Sequence, residues 1–281
     1  MKRLILFLLF LVSLYWVSKW TTAATEGFSV ARIRSLHPFN PVWEGMPLSE
    51  KESSAIHAIL NQKFHYLTRG GQSFVFLSED GQYVLKFFKN YAPFPVRMLF
   101  SERLKSKMAQ KRNRDFSAYR LAFDELRTES ALLFIHFNLT RGFSKKVTIS
   151  DPLHIEHEIE LNEFPCILQK RADLTYHYLA VLIEKKERKK AEEAIEKIIA
   201  LILLRCERGI YDEDPWLHRN SGFLEDHPIF LDPGRLVKNP EMKSRVRAKK
   251  ELKRIMGRFK KWLVEQDPSL ATFLEEKIDA L

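Results

Sequence analysis

Polar side chains suited to a metal ion flank a short apolar segment in the last third of the chain. Asp212 and Asp214 come first, and Asn220 ends the same polar stretch. Asp232 follows Asn220 by twelve residues and stands directly before a Pro-Gly pair. Carboxylate and amide oxygens are hard ligands, which suit Mg²⁺ held against phosphate oxygens. The spacing therefore favours a magnesium-dependent site that handles a phosphate group.

A glycine pair earlier in the chain has the chemistry to meet such a phosphate. Gly70 and Gly71 separate two predicted strands. Glycine lets the backbone approach a ligand closely, and consecutive N–H groups can cradle an anion. The alternative is a plain hairpin turn, which is the usual role of a Gly-Gly pair.

Lys86 lies in a predicted strand, Tyr83–Phe88, and shares one face of it with Val84 and Phe88. An ammonium group among apolar side chains needs an anionic partner if it points inward. The alternative is a lysine on an edge strand that faces water, which is the commoner case.

An acid on a predicted helix over residues 116–137 is the candidate partner of that lysine. Glu129 lies about 60° from the centre of the helix's apolar stripe, and Glu125 lies about 100° away, at 3.6 residues per turn. Glu129 is thus the better placed to reach Lys86. A solvated glutamate at the edge of the stripe is the alternative.

Taken in chain order, these features resemble the protein-kinase-like superfamily over about residues 56 to 238. The resemblance implies that ATP and Mg²⁺ are cofactors and that Asp214 is the catalytic base. It also implies a phosphate-covering loop, a strand lysine with its helix partner, and two metal ligands. Gly70, Gly71 and Ser73 would form the phosphate-covering loop. Lys86 would be the strand lysine, with Glu129 as its helix partner, and Asn220 and Asp232 would be the metal ligands.

The chain departs from the family pattern in ways that leave two functions open. Asp214 stands six residues before Asn220 where the family has five, and Pro215 follows it. The phosphate loop lacks its third glycine, and no Ala-Pro-Glu segment follows Asp232. One hypothesis is an ATP- and Mg-dependent phosphotransferase acting on an unidentified acceptor. The other is an exported pseudokinase, a non-catalytic module that binds a membrane surface or a partner protein.

The order of predicted elements gives the fold class and the domain boundaries. Three strands form a meander over 64–68, 73–77 and 83–88, whereas the later part of the chain is mostly helical. Strands first and helices later predict an α+β protein with a small β-rich N-lobe and a helical C-lobe. The predicted divisions are a leader, the N-lobe and the C-lobe, at residues 25–55, 56–169 and 170–281.

Residues 1–24 read as a targeting segment rather than as part of the fold. Lys2 and Arg3 precede an apolar run over residues 4–17, and small residues follow. Fourteen helical residues span about 21 Å, short of the roughly 30 Å hydrocarbon core. A cleaved signal peptide and a retained anchor both remain open. Both predict a domain outside the cytoplasm, because the positive charge stays on the cytoplasmic side.

The net charge of +10, from 46 basic and 36 acidic residues, is confined to one segment. Residues 235–261 hold 12 Lys or Arg and two acids, so the rest of the chain is balanced and a general nucleic-acid binder is not expected. Residues 242–266, which overlap this segment, are predicted to form a basic amphipathic helix. Its expected role is a packed helix with a solvated basic face; the alternative is attachment to an anionic membrane surface. Two cysteines cannot form a disulfide framework.

Overall fold

A three-stranded meander stands near the start of the folded part, as the alternating sequence predicts. The computed structural model describes residues 2–34, 37, 39–45, 47–90, 100–138 and 145–281, and it is α+β. Contacts divide the chain into two units. The first comprises Met1–Asn40, Leu48–Lys105 and His136–Leu168. The second comprises Pro41–Pro47, Ser106–Ile135 and Gln169–Leu281.

The meander belongs to a seven-stranded mixed sheet with the order β4-β7-β3-β2-β1-β5-β6. Strand β1 pairs in parallel with β5, and β1–β2, β2–β3 and β5–β6 are antiparallel. Gly81, at φ 71°, supplies the left-handed residue in the turn between the second and third strands. The strands are β1 Phe64–Arg69, β2 Ser73–Ser78, β3 Tyr83–Phe88, β4 Leu132–His136, β5 Lys146–Ser150, β6 Glu156–Glu160 and β7 Cys166–Lys170.

The helix predicted over residues 116–137 is wrong at both ends. The long helix, α4 Glu102–Glu125, is followed by one short turn of helix, α5 Arg127–Ser130, and then by β4. Ala131 has φ 50°, a left-handed conformation through which a helix does not continue. Beyond it, burial alternates along Leu132–His136, which is the period of a strand. Leucine and phenylalanine are compatible with both a helix and a strand, so the local sequence pattern did not distinguish the end of the helix from the strand that follows it.

The second unit is built around α7 Arg188–Glu207, whose apolar side chains pack in one core with those of α6, α9 and α10. Gly209, at φ 67°, follows this helix as a left-handed cap. Asp267 caps α10 by accepting the N–H of Ser269 at 3.0 Å. The other helices are α2 Val30–Ile33, α3 Glu50–Ile59, α6 Thr175–Glu184, α8 Leu217–Asn220, α9 Arg245–Gln266 and α10 Pro268–Asp279.

Two small sheets complete the second unit. Strands β8 Asp173–Leu174, β10 Ser221–Leu224 and β11 His227–Phe230 form one, in the order β11-β10-β8. Strands β9 Ile210–Asp212 and β12 Leu236–Lys238 form the other.

The N-terminal segment for which the sequence predicts a targeting role is one helix, α1 Lys2–Ala24. Its apolar stretch, Ile5–Ala24, has 20 residues, and its described side chains are nearly all exposed. At 1.5 Å per residue this stretch is about 30 Å long, the thickness of a hydrocarbon core. The fourteen-residue run counted from the sequence was too short because the helix continues through the polar residues after Val17. By length and composition, α1 fits either a signal sequence or a membrane anchor.

Candidate functional site

The loop from Asp212 to Asn220 is closed by hydrogen bonds that converge on Asp214. The Asp214 N–H donates to Oδ1 of Asp212 at 2.8 Å. The Asp214 carbonyl accepts from Nδ2 of Asn220 and from the N–H of Trp216, both at 2.8 Å. No hydrogen bond or ion pair engages the Asp214 carboxylate within the described ranges of the chain. The Asp214 backbone is therefore held while its carboxylate stays available.

The β10–β11 hairpin brings Asp232 back to the same loop. Ser221 pairs with Phe230, and the next rung outward is the N–H of Leu231 donating to the Asn220 carbonyl at 2.8 Å. Asp232 follows immediately and is exposed. Strand β12 then pairs with β9, with Leu236 opposite Asp212. Three predicted site residues, Asp214, Asn220 and Asp232, are thus gathered in one part of the second unit.

Asp232 is oriented by a tyrosine on α4 that the sequence analysis did not identify. The hydroxyl of Tyr119 donates to Oδ1 of Asp232 at 2.9 Å, and the N–H of Gly234 donates to the same oxygen at 3.2 Å. Tyr119 is buried, and burial together with the Asp232 charge raises its pKa well above the ordinary value. The phenol therefore keeps its proton and acts as a donor at neutral pH.

Asp115, one helical turn before Tyr119, is a second residue that the sequence analysis missed. It is 5% exposed, and burial raises its pKa against the opposing charges of Arg235 and Arg114. The nitrogens of these arginines lie 4.0 and 3.5 Å from its Oδ1. The i, i+4 spacing of Asp115 and Tyr119 on one helix face was the available signal.

Asp212 belongs to a buried ion network, which we call the Arg205 network: Arg205, Asp212, Glu251 and Arg254. The guanidinium of Arg205 is fully buried and lies 2.8 Å from Oδ2 of Asp212 and 2.7 Å from Oε1 of Glu251. Arg254 binds Glu251 at 2.7 Å and donates to the Asp212 carbonyl at 2.5 Å. Burial raises the pKa of Asp212, and Arg205 opposes that effect. Both oxygens of Asp212 are engaged, so it holds the loop in place.

Glu129, the predicted helix partner of Lys86, lies on α5 and forms a two-pronged ion pair with Arg208. Its two oxygens lie 2.8 and 3.1 Å from the guanidinium nitrogens. Arg208 also donates to the carbonyl of Glu125. Lys86 belongs to the other unit, and its pairing with Glu129 stays a prediction.

Lys86 is on an interior strand, because β3 has β2 on one side and β7 on the other. It lies opposite Val75 in the β2–β3 register and is 9% exposed. The alternative of an edge lysine facing water is therefore wrong. A buried ammonium on an interior strand is costly unless charged or polar groups accompany it.

The glycine turn between β1 and β2 leaves room for a side chain at both of its glycines. The N–H of Gly70 donates to the Ser73 carbonyl at 2.9 Å, and the ammonium of Lys89 donates to the Gly70 carbonyl. A Cβ added at Gly71 would meet nothing within 4 Å, and one at Gly70 would meet only the Ser73 hydroxyl at 3.9 Å. Neither glycine has a positive φ. The folded chain itself therefore does not require glycine at this turn, and Lys89 adds a cation that the sequence analysis missed.

The donor set at Asp232 and Asn220 fits Mg²⁺ bound together with phosphate. No group of three or more His, Cys, Asp or Glu side chains is placed to hold a metal ion in the part of the chain that the structure describes. Mg²⁺, however, commonly takes one or two protein oxygens and completes its shell with water and substrate phosphates. Oδ2 of Asp232 and Oδ1 of Asn220 are the oxygens that the local hydrogen bonds leave for it. No family model and no curated protein matches this chain with significance.

Proposed function

We propose that the protein is a kinase-like phosphotransferase that uses ATP and Mg²⁺. The observation that carries the proposal is the hairpin connection in the second unit. It takes the chain from the Asp214 loop through Asn220, out along β10 and back along β11 to Asp232. An acid with an available carboxylate and two metal-ligating oxygens are thus gathered in an arrangement suited to phosphate chemistry.

Residues of the first unit support the nucleotide part of the proposal. Lys86 is an interior, mostly buried lysine, and Gly70 and Gly71 form an open turn whose glycines the fold does not need. In the proposed function, Lys86 contacts phosphate oxygens and Glu129 supports it, while the turn and Ser73 cover the phosphates. Each residue keeps the role implied by the kinase resemblance.

The chemistry assigns one task to each acidic residue. The Asp214 carboxylate takes the proton of the acceptor hydroxyl as the acceptor oxygen bonds to the γ-phosphorus and the ADP oxygen leaves. Asp232 and Asn220 would hold Mg²⁺, which when bound offsets charge on the phosphate oxygens. Tyr119 donates a hydrogen bond to Oδ1 of Asp232, which leaves Oδ2 for the metal ion. Asp212 holds the Asp214 loop closed by accepting the Asp214 N–H.

Thermal unfolding with and without Mg-ATP tests the proposal. A ligand present at a hundred times its Kd adds about 2.7 kcal/mol to the free energy of unfolding. Lys86→Met keeps the apolar stem and should abolish this stabilisation. Lys63→Met, which removes a half-buried lysine of the same unit that pairs with Glu156, should retain it. Asp214→Asn should keep the stabilisation and lose Mg-dependent release of ADP. The proposal fails if Mg-ATP does not stabilise the wild-type protein, or if Lys86→Met behaves like Lys63→Met.

The N-terminal helix favours the second candidate function, an exported non-catalytic module, because ATP is expected to be scarce outside the cytoplasm. That module would bind nucleotide without releasing ADP, so the same assay separates the two candidates. Its attachment to an anionic membrane through residues 242–266 would have to be electrostatic. The apolar stripe of α9 is buried within the second unit, where it packs in the core with residues of α10.

A further inference from the structure

The arginines of α9 differ in what they contact. Arg247 lies 3.2 Å from Glu241, and Arg254 lies 2.7 Å from Glu251. Arg258 has no hydrogen bond or ion pair to any residue that the structure describes. Instead, its guanidinium carbon lies 3.5 Å over the ring of Trp216. Arg258 is therefore an exposed cation held in a defined orientation without a neutralising acid.

A guanidinium stacked on an aromatic ring keeps its N–H edge free for an anion. The planar fork matches two oxygens of a carboxylate or phosphate, and stacking reduces the conformational freedom lost on binding. Trp216 is 40% exposed and sits in the Asp214 loop, where its N–H donates to the Asp214 carbonyl at 2.8 Å. The stacked pair is thus joined directly to the proposed proton acceptor.

A second exposed arginine, Arg219, lies on the short helix α8 that directly follows Trp216. His218 lies 5.2 Å from Trp216, ring centre to ring centre. The backbone N–H of Arg219, the residue after His218, donates to the Trp216 carbonyl at 3.0 Å. Arg219 is exposed and has no ion pair within the described ranges. Trp216, His218, Arg219 and Arg258 together are called the Arg258 patch.

We propose that the Arg258 patch binds a phosphomonoester carried by the phosphoryl acceptor, so that the acceptor is an alcohol that already bears a phosphate. Two guanidiniums match the charge of a dianionic phosphate, whereas a carboxylate needs only one. The aromatic ring of Trp216 offers a surface for the carbon frame beside that phosphate. The ligand's role as phosphoryl acceptor rests on the proposed function, whereas the phosphate-binding site itself is argued from the geometry of the patch.

Binding without nucleotide tests the patch separately from phosphotransfer. Glycerol 3-phosphate is titrated into the full chain by calorimetry, and vesicles with and without phosphatidic acid are tested in a second arm. We expect Arg258→Gln to weaken binding about tenfold or more, the cost of losing a charge-assisted bidentate contact. Arg258→Lys should restore part of it. Arg247→Gln is the matched control on the same helix, and it should bind like the wild type.

Each outcome decides between these possibilities. Arg258-dependent binding of the soluble phosphate, or only of the phosphatidic acid vesicles, supports the site and identifies its source as a free metabolite or a lipid headgroup. Absence of binding in both arms overturns it, as does equal loss in Arg258→Gln and Arg247→Gln. Repeating the titration in Lys86→Met removes binding at the glycine turn from consideration. If the patch binds phosphate while Mg-ATP gives no stabilisation, the proposed phosphotransfer fails and the binding site stands.

Discussion

At the glycine turn, a main-chain hydrogen bond and the ammonium of Lys89 hold Gly70 in place, and a Cβ added at Gly71 would meet no atom within 4 Å. At the Asp214 loop, side chains make two of the three hydrogen bonds to the Asp214 backbone: Asp212 accepts the Asp214 N–H, and Asn220 donates to the Asp214 carbonyl. Behind that loop lies the buried guanidinium of Arg205. One region is therefore shaped by its backbone, and the other by a network of charges.

This difference suits the two proposed tasks. A loop that positions a proton acceptor must hold its geometry before the substrate arrives, which needs locked supporting side chains. A turn that covers phosphates has to present backbone N–H groups to a ligand, which needs open space around its atoms. The comparison predicts that substitutions in the Arg205 network will lower stability, whereas substitutions at the glycine turn will lower only ligand binding.

The largest effect is expected at Arg205. Arg205→Ala leaves the buried carboxylates of Asp212 and Glu251 without their shared cation, and breaking a buried ion pair from one side costs about 3–5 kcal/mol. Urea unfolding measures it. Arg247→Ala, which removes an exposed pair with Glu241, should be nearly neutral. Equal, small losses for the two variants would show that the network does not hold the loop.

An intermediate effect is expected at Asp151, where a side chain holds a loop of the first unit. Its carboxylate accepts the N–H groups of Leu153 at 2.8 Å and Ile155 at 3.0 Å, and it contacts His157 at 2.9 Å. Asp151→Ala should lower the free energy of unfolding by about 2 kcal/mol at pH 7, because several hydrogen bonds to a mostly buried carboxylate are lost together.

The same residue gives a pH dependence. Partial burial raises the pKa of Asp151, but hydrogen bonds from His157, Ile155 and Leu153 outweigh burial and hold the pKa below its usual range. Its contribution to stability is then complete above the unfolded pKa of about 3.9 and is lost as the pH falls through the lower folded pKa. Wild type and Asp151→Ala should therefore converge in acid. A constant difference from pH 7 to pH 2 would contradict this account.

The smallest effect on stability is expected at the glycine turn. Gly71→Ala adds a methyl group that meets no atom within 4 Å, so the free energy of unfolding should change by less than about 0.5 kcal/mol. Mg-ATP stabilisation should nevertheless fall, since the added carbon stands where the backbone would approach phosphate. A large loss of stability would make the glycine structural and erase the contrast between the two regions.

The sequence by itself determined the features that depend on neighbouring residues. The alternation within 64–88 placed the three strands of the meander, because side chains of a strand point to opposite faces in turn. Gly209 marked the end of α7, because glycine tolerates the left-handed conformation that ends a helix. The sequence also showed Asp214, Asn220 and Asp232 flanking a short predicted strand, but the hairpin that returns the chain from Asn220 to Asp232 was seen only in the structure.

Only the tertiary structure decided which distant groups meet. In the folded chain, β7 pairs beside β3, so Lys86 lies on an interior strand. Glu129 forms an ion pair with Arg208. Tyr119 and Asp232 are 113 residues apart in the chain, and Arg205 and Glu251 are 46 apart. The periodicity of a sequence shows which face of a helix or strand is buried. It does not show which polar atoms lie on the neighbouring element against which that face packs. Those contacts are settled by packing of the whole unit, where each buried donor or charge must find a partner.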